Sequence, residues 1–362
     1  EVNALAKRLD PSRMTTMAQV TMTPMESEHN IITDVESYNH YFGWYFGEAA
    51  DNGPWLDQFH AMYPDRCLGV SEYGAEAILK WHSAYPENHD YTEEYACEYH
   101  HDMLKTFAAR PYLWATHLWN MFDFAADGRD EGGVQGRNNK GLVTYDRKTK
   151  KDAFYLYKAY WTTEPMLHVC GARFVDRAPG ERNVTVYTNC PSVTLILNGA
   201  EVATLEAVDH AAVFKDVPLK DGPNTVSARC GDVASNTIIL NGVAEHNYAY
   251  DLPEGNDAAN WFDDPKAREA RKPLNYPEGF YSIKDKVTDL LANSETAAII
   301  HDAMEVFSKS SMMSMMGSSK EDGAGGIMGT MRLTDMMKMA GKSFSADVKR
   351  QINDALTKIR KG

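Results

Sequence analysis

Apolar positions at the start of the chain, Val2, Leu5, Ala6 and Leu9, recur near the spacing of a helical turn, and Pro11 stops the pattern. No capping residue precedes this helix, which suggests a chain cut from something longer. Short apolar runs follow at 14–22, 35–42, 67–74 and 112–124. Stretches with helical spacing alternate with them at 54–63, 92–109 and 151–161. Strands that alternate with helices predict an α/β fold with a parallel sheet, because a parallel connection needs a crossover. Four such units, placed at residues 1–163, fit half of an eight-unit barrel.

From about Leu167 the period drops to two, as in Val184 and Val186 against Thr185 and Tyr187. Asn198-Gly199 sits between alternating apolar residues and predicts a type I′ hairpin, whose two central residues both need positive φ. Residues 164–243 therefore read as an antiparallel, immunoglobulin-like β-sandwich. Beyond them, 244–362 reads as a polar Pro- and Asp-rich linker, an amphipathic helix pair within 282–307, and a Met-rich helical region with a low-complexity stretch at 312–329.

The 362 residues carry 37 Lys+Arg against 51 Asp+Glu, a formal charge of −14, opposite in sign to what a phosphate backbone attracts, so nucleic acid is not an expected partner. No apolar run is long enough to cross a membrane, and the start lacks the features of a signal peptide. Five scattered cysteines form no CxxC pair, which points away from zinc and disulfides and toward a reducing, cytoplasmic compartment. Homo-oligomerisation stays open. The aromatic residues crowd into the first half, which suits either an aromatic-walled sugar pocket or plain core packing.

In a parallel barrel the reacting groups stand at the carboxyl ends of the strands. The runs end at Asn39-His40-Tyr41 with Trp44-Tyr45, at Ser71-Glu72-Tyr73-Gly74 and at Trp119-Asn120-Met121-Phe122-Asp123, and the loop Asn138-Asn139-Lys140-Gly141 follows. A carboxylate on a rigid strand end, as at Glu72, suits a glycosidase nucleophile, although a lone Glu there is more often a surface or ion-paired residue. His82, His89 and His117 lack metal-ligand spacing, His100-His101 are expected on a solvent-facing helix surface, and Trp114 and Trp161 are expected in the core. The acidic, Gly-rich 126–137 stretch reads as a loop, either lining substrate or plainly solvated.

SYNHYFGWY, GVSEYGAEA, LWATHLWNMFDF and NNKGLVTYDRKTKKDAFYLYKAYW, in this order, resemble glycoside hydrolase family 2, and among its members look most like bacterial β-galactosidases. The resemblance spans roughly 1–243 and implies that residues 1–163 are the carboxyl-terminal half of a (β/α)8 TIM barrel. It implies Glu72 as the nucleophile with the Tyr41 hydroxyl beside it, and Asn39 and His40 in the sugar pocket. It further implies Trp119 as the sugar platform and Asn138 with Lys140 as a polar rim. The expected activity is retaining hydrolysis of terminal β-D-galactosides through a covalent glycosyl-enzyme, without a cofactor.

A retaining glycosidase also needs an acid/base carboxyl about 5–5.5 Å from the nucleophile. The resemblance places it in an Asn-Glu pair that this chain does not contain, and Glu1 is no substitute. Residues 1–362 alone are therefore expected to be inactive, and any divalent metal of the family is expected in the absent amino-terminal portion. Two alternatives accompany this reading. One is β-glucuronidase of the same family, whose Asn-x-Lys pattern for the uronate carboxylate is met by Asn138-Asn139-Lys140. The other is a non-catalytic carbohydrate-binding or assembly module. Galactosides are placed ahead of glucuronides because Gly-Leu-Val-Thr follows Lys140.

Overall fold

A computed structural model describes residues 1–88, 90–245, 274–308, 332–339 and 346–361. His89, most of the polar linker and the low-complexity 312–329 stretch lie outside these residues. The chain divides into two units, 1–262 and 263–362.

The first unit opens with α1 (Val2–Leu9), which ends before Pro11 as the sequence predicts. Strands β1 (Ala18–Val20), β2 (Glu36–Asn39), β3 (Leu68–Tyr73) and β4 (Thr116–Leu118) form one sheet in chain order, every pair parallel. Helices α2 (Asn52–Met62) and α3 (Glu93–Ala108) are the crossovers, and α4 (Asp152–Trp161) follows. Thr92 caps α3 by accepting from the Tyr95 amide at 3.0 Å, with Glu93 and Glu94 in the first turn and Lys105 in the last, each charge suited to its end of the helix dipole. Tyr38, Leu56, Phe59, Val70, Tyr73, Met103 and Leu156 are wholly buried in the core between sheet and helices.

Four expectations change. Within the 112–124 run only 116–118 and the last residue, Phe124, are strand, and the supposed 126–137 loop is an antiparallel hairpin of β5 (Phe124–Glu131) and β6 (Val134–Asn138). His100 is buried rather than solvent-facing, its Nδ1 2.9 Å from the Tyr157 hydroxyl, while half-buried His101 meets the Asp209 carbonyl at 2.7 Å. Trp114 and Trp161 are not core: they are 42% and 67% exposed. Trp161 is the last residue of α4, where no following turn covers it, and Trp114 is held at the sheet by its indole N–H donating to the Glu36 carbonyl at 2.9 Å.

Residues 167–242 form two sheets that share one core. The antiparallel sheet of β12 (Ala211–Phe214), β9 (Val184–Thr188) and β7 (Leu167–Val169) contributes Val169, Val184 and Val186. The other contains β10 (Ser192–Leu197), β11 (Ala200–Glu206), β13 (Gly222–Cys230) and β15 (Ile238–Gly242), completed by two short strands, β8 (Asp176–Arg177) and β14 (Val233–Ala234). It contributes Val193, Leu195, Val226 and Leu240 to the same core. The β10–β11 turn is Asn198-Gly199, with φ of 51° and 83°, as a type I′ turn requires.

In the second unit helices Val287–Ala292, Ser294–Ser308, Leu333–Met339 and Ala346–Leu356 gather a separate core around Leu290, Ile300, Leu333, Met337 and Leu356. No helix among the described residues is long and apolar enough to cross a membrane.

Candidate active site

The pleat of β3 is interrupted where chemistry is expected. Tyr38 pairs with Val70 but Asn39 pairs with Glu72, and on the other side Val70 pairs with Thr116 but Tyr73 with Leu118, so β3 carries an extra residue between Val70 and Tyr73. Tyr38 packs on Trp55 and Phe59 of α2, and Tyr73 on Phe107 of α3, which puts Val70 and Tyr73 on the helix-facing side although they are three residues apart. A bulge that re-aims side chains in this way leaves Ser71 and Glu72 together on the opposite face.

That face opens into a cavity of 630 Å³ at the carboxyl ends of the strands. Val20, Asn39, Tyr41, Glu72 and Trp119 line it from the four strand ends, and Phe124, Arg129 and Asn138 from the hairpin. The Tyr41 hydroxyl donates to Glu72 Oε2 at 2.8 Å. Ser71 Oγ donates to Asn39 Oδ1 at 2.7 Å, which turns the amide N–H of Asn39 toward the hydrogen bond it makes with Glu72. Burial raises the pKa of Glu72 above the ordinary glutamate value, while the Tyr41 and Asn39 hydrogen bonds and the charge of Lys140 pull it back. Tyr41 stays protonated, its pKa pushed far up first by burial and then by the Glu72 charge. Glu72 is the one carboxylate lining the cavity among the described residues.

Five of the seven residues expected at the site thus line one cavity, and two do not. His40 turns away beneath β2, with Nδ1 3.2 Å from Asn52 Oδ1 and its ring edge-on to Trp55, and burial lowers its pKa to about 3. It is a neutral packing residue. Lys140 is not on a rim: it is buried, and its Nζ donates to Glu76 Oε1 at 2.9 Å and to the Tyr45 hydroxyl at 2.8 Å. Arg129 meets the same two groups, Glu76 Oε1 at 3.1 Å and the Tyr45 hydroxyl at 3.2 Å. Burial alone would raise the pKa of Glu76, but the Lys140 and Arg129 charges hold it below the ordinary value, so it is ionised.

Glu76 and Arg129 were not singled out from the sequence. The available signals were an acidic residue inside the small, apolar segment 74–78 and a cation in the acidic 126–137 stretch. A second buried pair, Lys151–Asp123 at 2.8 Å, braces the loop that presents Lys140, since Lys151 also donates to the carbonyls of Ala77 and Asn139 and Asp123 accepts from the Gly141 amide.

Asp152, His168 and Cys170 bring donor atoms within 4.8 Å of one another. Asp152 is already satisfied by His168 at 2.9 Å, the Gly171 amide at 2.7 Å and Arg173 at 3.3 Å, and burial keeps the Cys170 thiol protonated. The cluster is a hydrogen-bonded joint between α4 and β7.

Residues 1–164 match the TIM barrel domain of glycosyl hydrolases family 2. This part of the chain is similar to the family 2 barrel domain. Over 239 residues, 62% of the chain, it is 39% identical to a β-glucuronidase of Bacteroides fragilis and covers 33% of that protein. The crystal structure of an FMN-binding β-glucuronidase from Facaelibacterium prausnitzii is 51% identical and superposes with a TM-score of 0.66, over 70% of this chain and 39% of that one. A Bacteroides uniformis β-glucuronidase 2, covalently bound to cyclophellitol-6-carboxylate aziridine, is 30% identical with a TM-score of 0.62, over 67% and 30%. The chain spans about a third of the length of these relatives.

Proposed function

We propose that this chain is the nucleophile-bearing part of a retaining β-glycosidase whose substrate is a terminal β-glucuronide. The observation that carries the glycosidase reading is Glu72, aimed by a strand bulge into a cavity walled by Trp119 and held by Tyr41 at 2.8 Å. Glu72 attacks the anomeric carbon as the glycosidic bond breaks, and the aglycone oxygen leaves with a proton from a general acid. Water deprotonated by the same group then cleaves the glycosyl ester, with net retention. The chain has no Asn-Glu pair and the described cavity no second carboxylate, so the proposal takes the acid/base from outside these residues. Trp119 offers an apolar face to the sugar's C–H face.

The preference for a uronide reverses the order set from sequence. It is supported by the cation Arg129, which lines the cavity together with Asn138, by Lys140 buried against the same Glu76, and by relatives that carry the β-glucuronidase name. The bound inhibitor of the Bacteroides uniformis relative carries a carboxylate. The Gly-Leu-Val-Thr segment behind the galactoside reading does not line the cavity. One solved relative from Bacteroides fragilis, 36% identical, does bear a provisional β-galactosidase name, so both substrates enter the test.

The full-length protein containing these residues is to be assayed on aryl β-glucuronide and aryl β-galactoside, and treated with a 2-fluoro glucuronide that traps the glycosyl-enzyme. Faster glucuronide turnover, with the added mass on the SEYGAEA peptide, is expected. A label on another carboxylate overturns the role of Glu72, and faster galactoside turnover overturns the uronide preference.

A further inference from the structure

Two side chains of β2 and its following turn donate to Glu72, and only one of them is fixed by its own chemistry. An ionised carboxylate only accepts, so the protonated Tyr41 hydroxyl meets it as a donor, at 2.8 Å. The Asn39 amide has two faces, because its oxygen and its NH2 group exchange places by rotation about one bond. One orientation offers Glu72 a donor, and the other sets lone pair against lone pair. Ser71 selects between them, with Oγ standing 2.7 Å from Asn39 Oδ1.

That selection depends on the bulge. Tyr38 pairs with Val70 and Asn39 with Glu72, so Ser71 is the residue the register skips. In a regular strand Asn39 would pair with Ser71, and Glu72 would point to the helices. Asn39 and Glu72 line the cavity whereas Ser71 does not, so its hydroxyl is set back from the space a sugar would fill.

We infer that Ser71 is a positioning residue for the nucleophile and acts through Asn39, its hydroxyl locking the amide so that the NH2 group faces Glu72. This rests on the reading of Glu72 as the nucleophile. The reaction needs Glu72 ionised and held toward the anomeric carbon. A donor from Asn39 favours that charged form. A flipped amide would instead accept from a protonated Glu72, which cannot attack. The serine hydroxyl blocks this state from behind Asn39 and takes no room from the substrate.

The test is a double-mutant cycle in the full-length protein. Its readout is the rate at which a 2-fluoro glycoside, glucuronide or galactoside as the wild type prefers, labels Glu72, since that rate reports the first chemical step. Ser71→Ala is expected to slow labelling at least tenfold in the wild-type background and less than twofold beside Asn39→Ala, where no amide is left to orient. A smaller loss in the first background, or a loss of twofold or more in the second, overturns the inference. The acidic limb of the labelling rate is expected at higher pH in Ser71→Ala and in its wild-type place in Ser71→Thr, which keeps the hydroxyl. Tyr41, Lys140, Arg129 and His29, the other charged or titratable groups around Glu72, are the same in all these proteins. A limb that Ser71→Ala leaves unmoved reduces Ser71 to a structural role and overturns the inference. Should Ser71→Ala not fold, Ser71→Cys, close in shape and a weak donor, is read by the same two ratios. A wild-type label on another carboxylate overturns the nucleophile reading itself. A wild-type label on Glu72 with a rate unmoved by Ser71→Ala overturns only the role given to Ser71.

Discussion

Lys140 and Glu76 form an ion pair at 2.9 Å in which neither side chain reaches solvent. Such a pair adds little beyond what an apolar pair of the same volume would contribute, but removing one partner leaves the other charged and buried. Glu76→Ala is therefore expected to destabilise the protein by about 3–5 kcal/mol. The double variant Glu76→Leu, Lys140→Met should recover much of that loss. Urea denaturation of the three proteins checks this, and a double variant no more stable than Glu76→Ala would contradict it.

Glu72→Gln keeps the shape of the side chain and removes its charge. Both chemical steps of the proposed reaction need the carboxylate, so kcat in the full-length protein should fall by ~10⁴-fold or more. Because the group is held by hydrogen bonds rather than an ion pair, stability should move by no more than about 1 kcal/mol. Steady-state kinetics together with a melting curve separate the two effects.

The Tyr41 hydrogen bond favours the ionised form of Glu72 against the desolvation that raises its pKa. A nucleophile must be ionised, so activity is lost as pH falls through that pKa. Tyr41→Phe removes a stabiliser of the charged form, raises the pKa further, and should move the acidic limb of kcat/KM to higher pH. Superimposable limbs in wild type and variant would show that the hydroxyl does not act on Glu72.

His40 and His100 are wholly buried and neutral, each with a pKa that burial lowers to about 3. The unfolded chain takes up a proton near pH 6.5 and the folded chain does not, so the stability these residues contribute is complete above 6.5 and is lost as pH falls from there toward 3. At pH 5 the loss is about 2 kcal/mol for each histidine. Asp90, buried with its pKa raised to about 7, acts in the opposite sense, so a comparison of variants is needed. Between pH 7.5 and 5, His100→Gln should lose about 2 kcal/mol less than wild type, as read from denaturation at the two pH values.

Local pattern was enough for the type and order of most elements, although it did not show the β5–β6 hairpin. The spacing of apolar residues at 92–109 and 151–161 marks helices wherever they pack, and Asn198-Gly199 marks its turn because few other pairs accept positive φ twice. The motifs around Glu72 likewise pointed to a family 2 barrel, and residues 1–164 match it. What depends on partners far along the chain was not legible. The β3 bulge exists only in the pairing with β2 and β4, so no window of β3 announces that Ser71 and Glu72 share a face. His40, read as a pocket residue, is buried because α2 lays Trp55 and Asn52 against it, and His100 is buried because α4 presents Tyr157. Glu76 meets Lys140 across 64 positions and Arg129 across 53, contacts that periodicity cannot encode. Side-chain type and spacing determine which elements form, because they act within a few residues. Tertiary packing decides which charges are buried together and which one faces the cavity, because desolvation is set by whatever the rest of the chain places around each group.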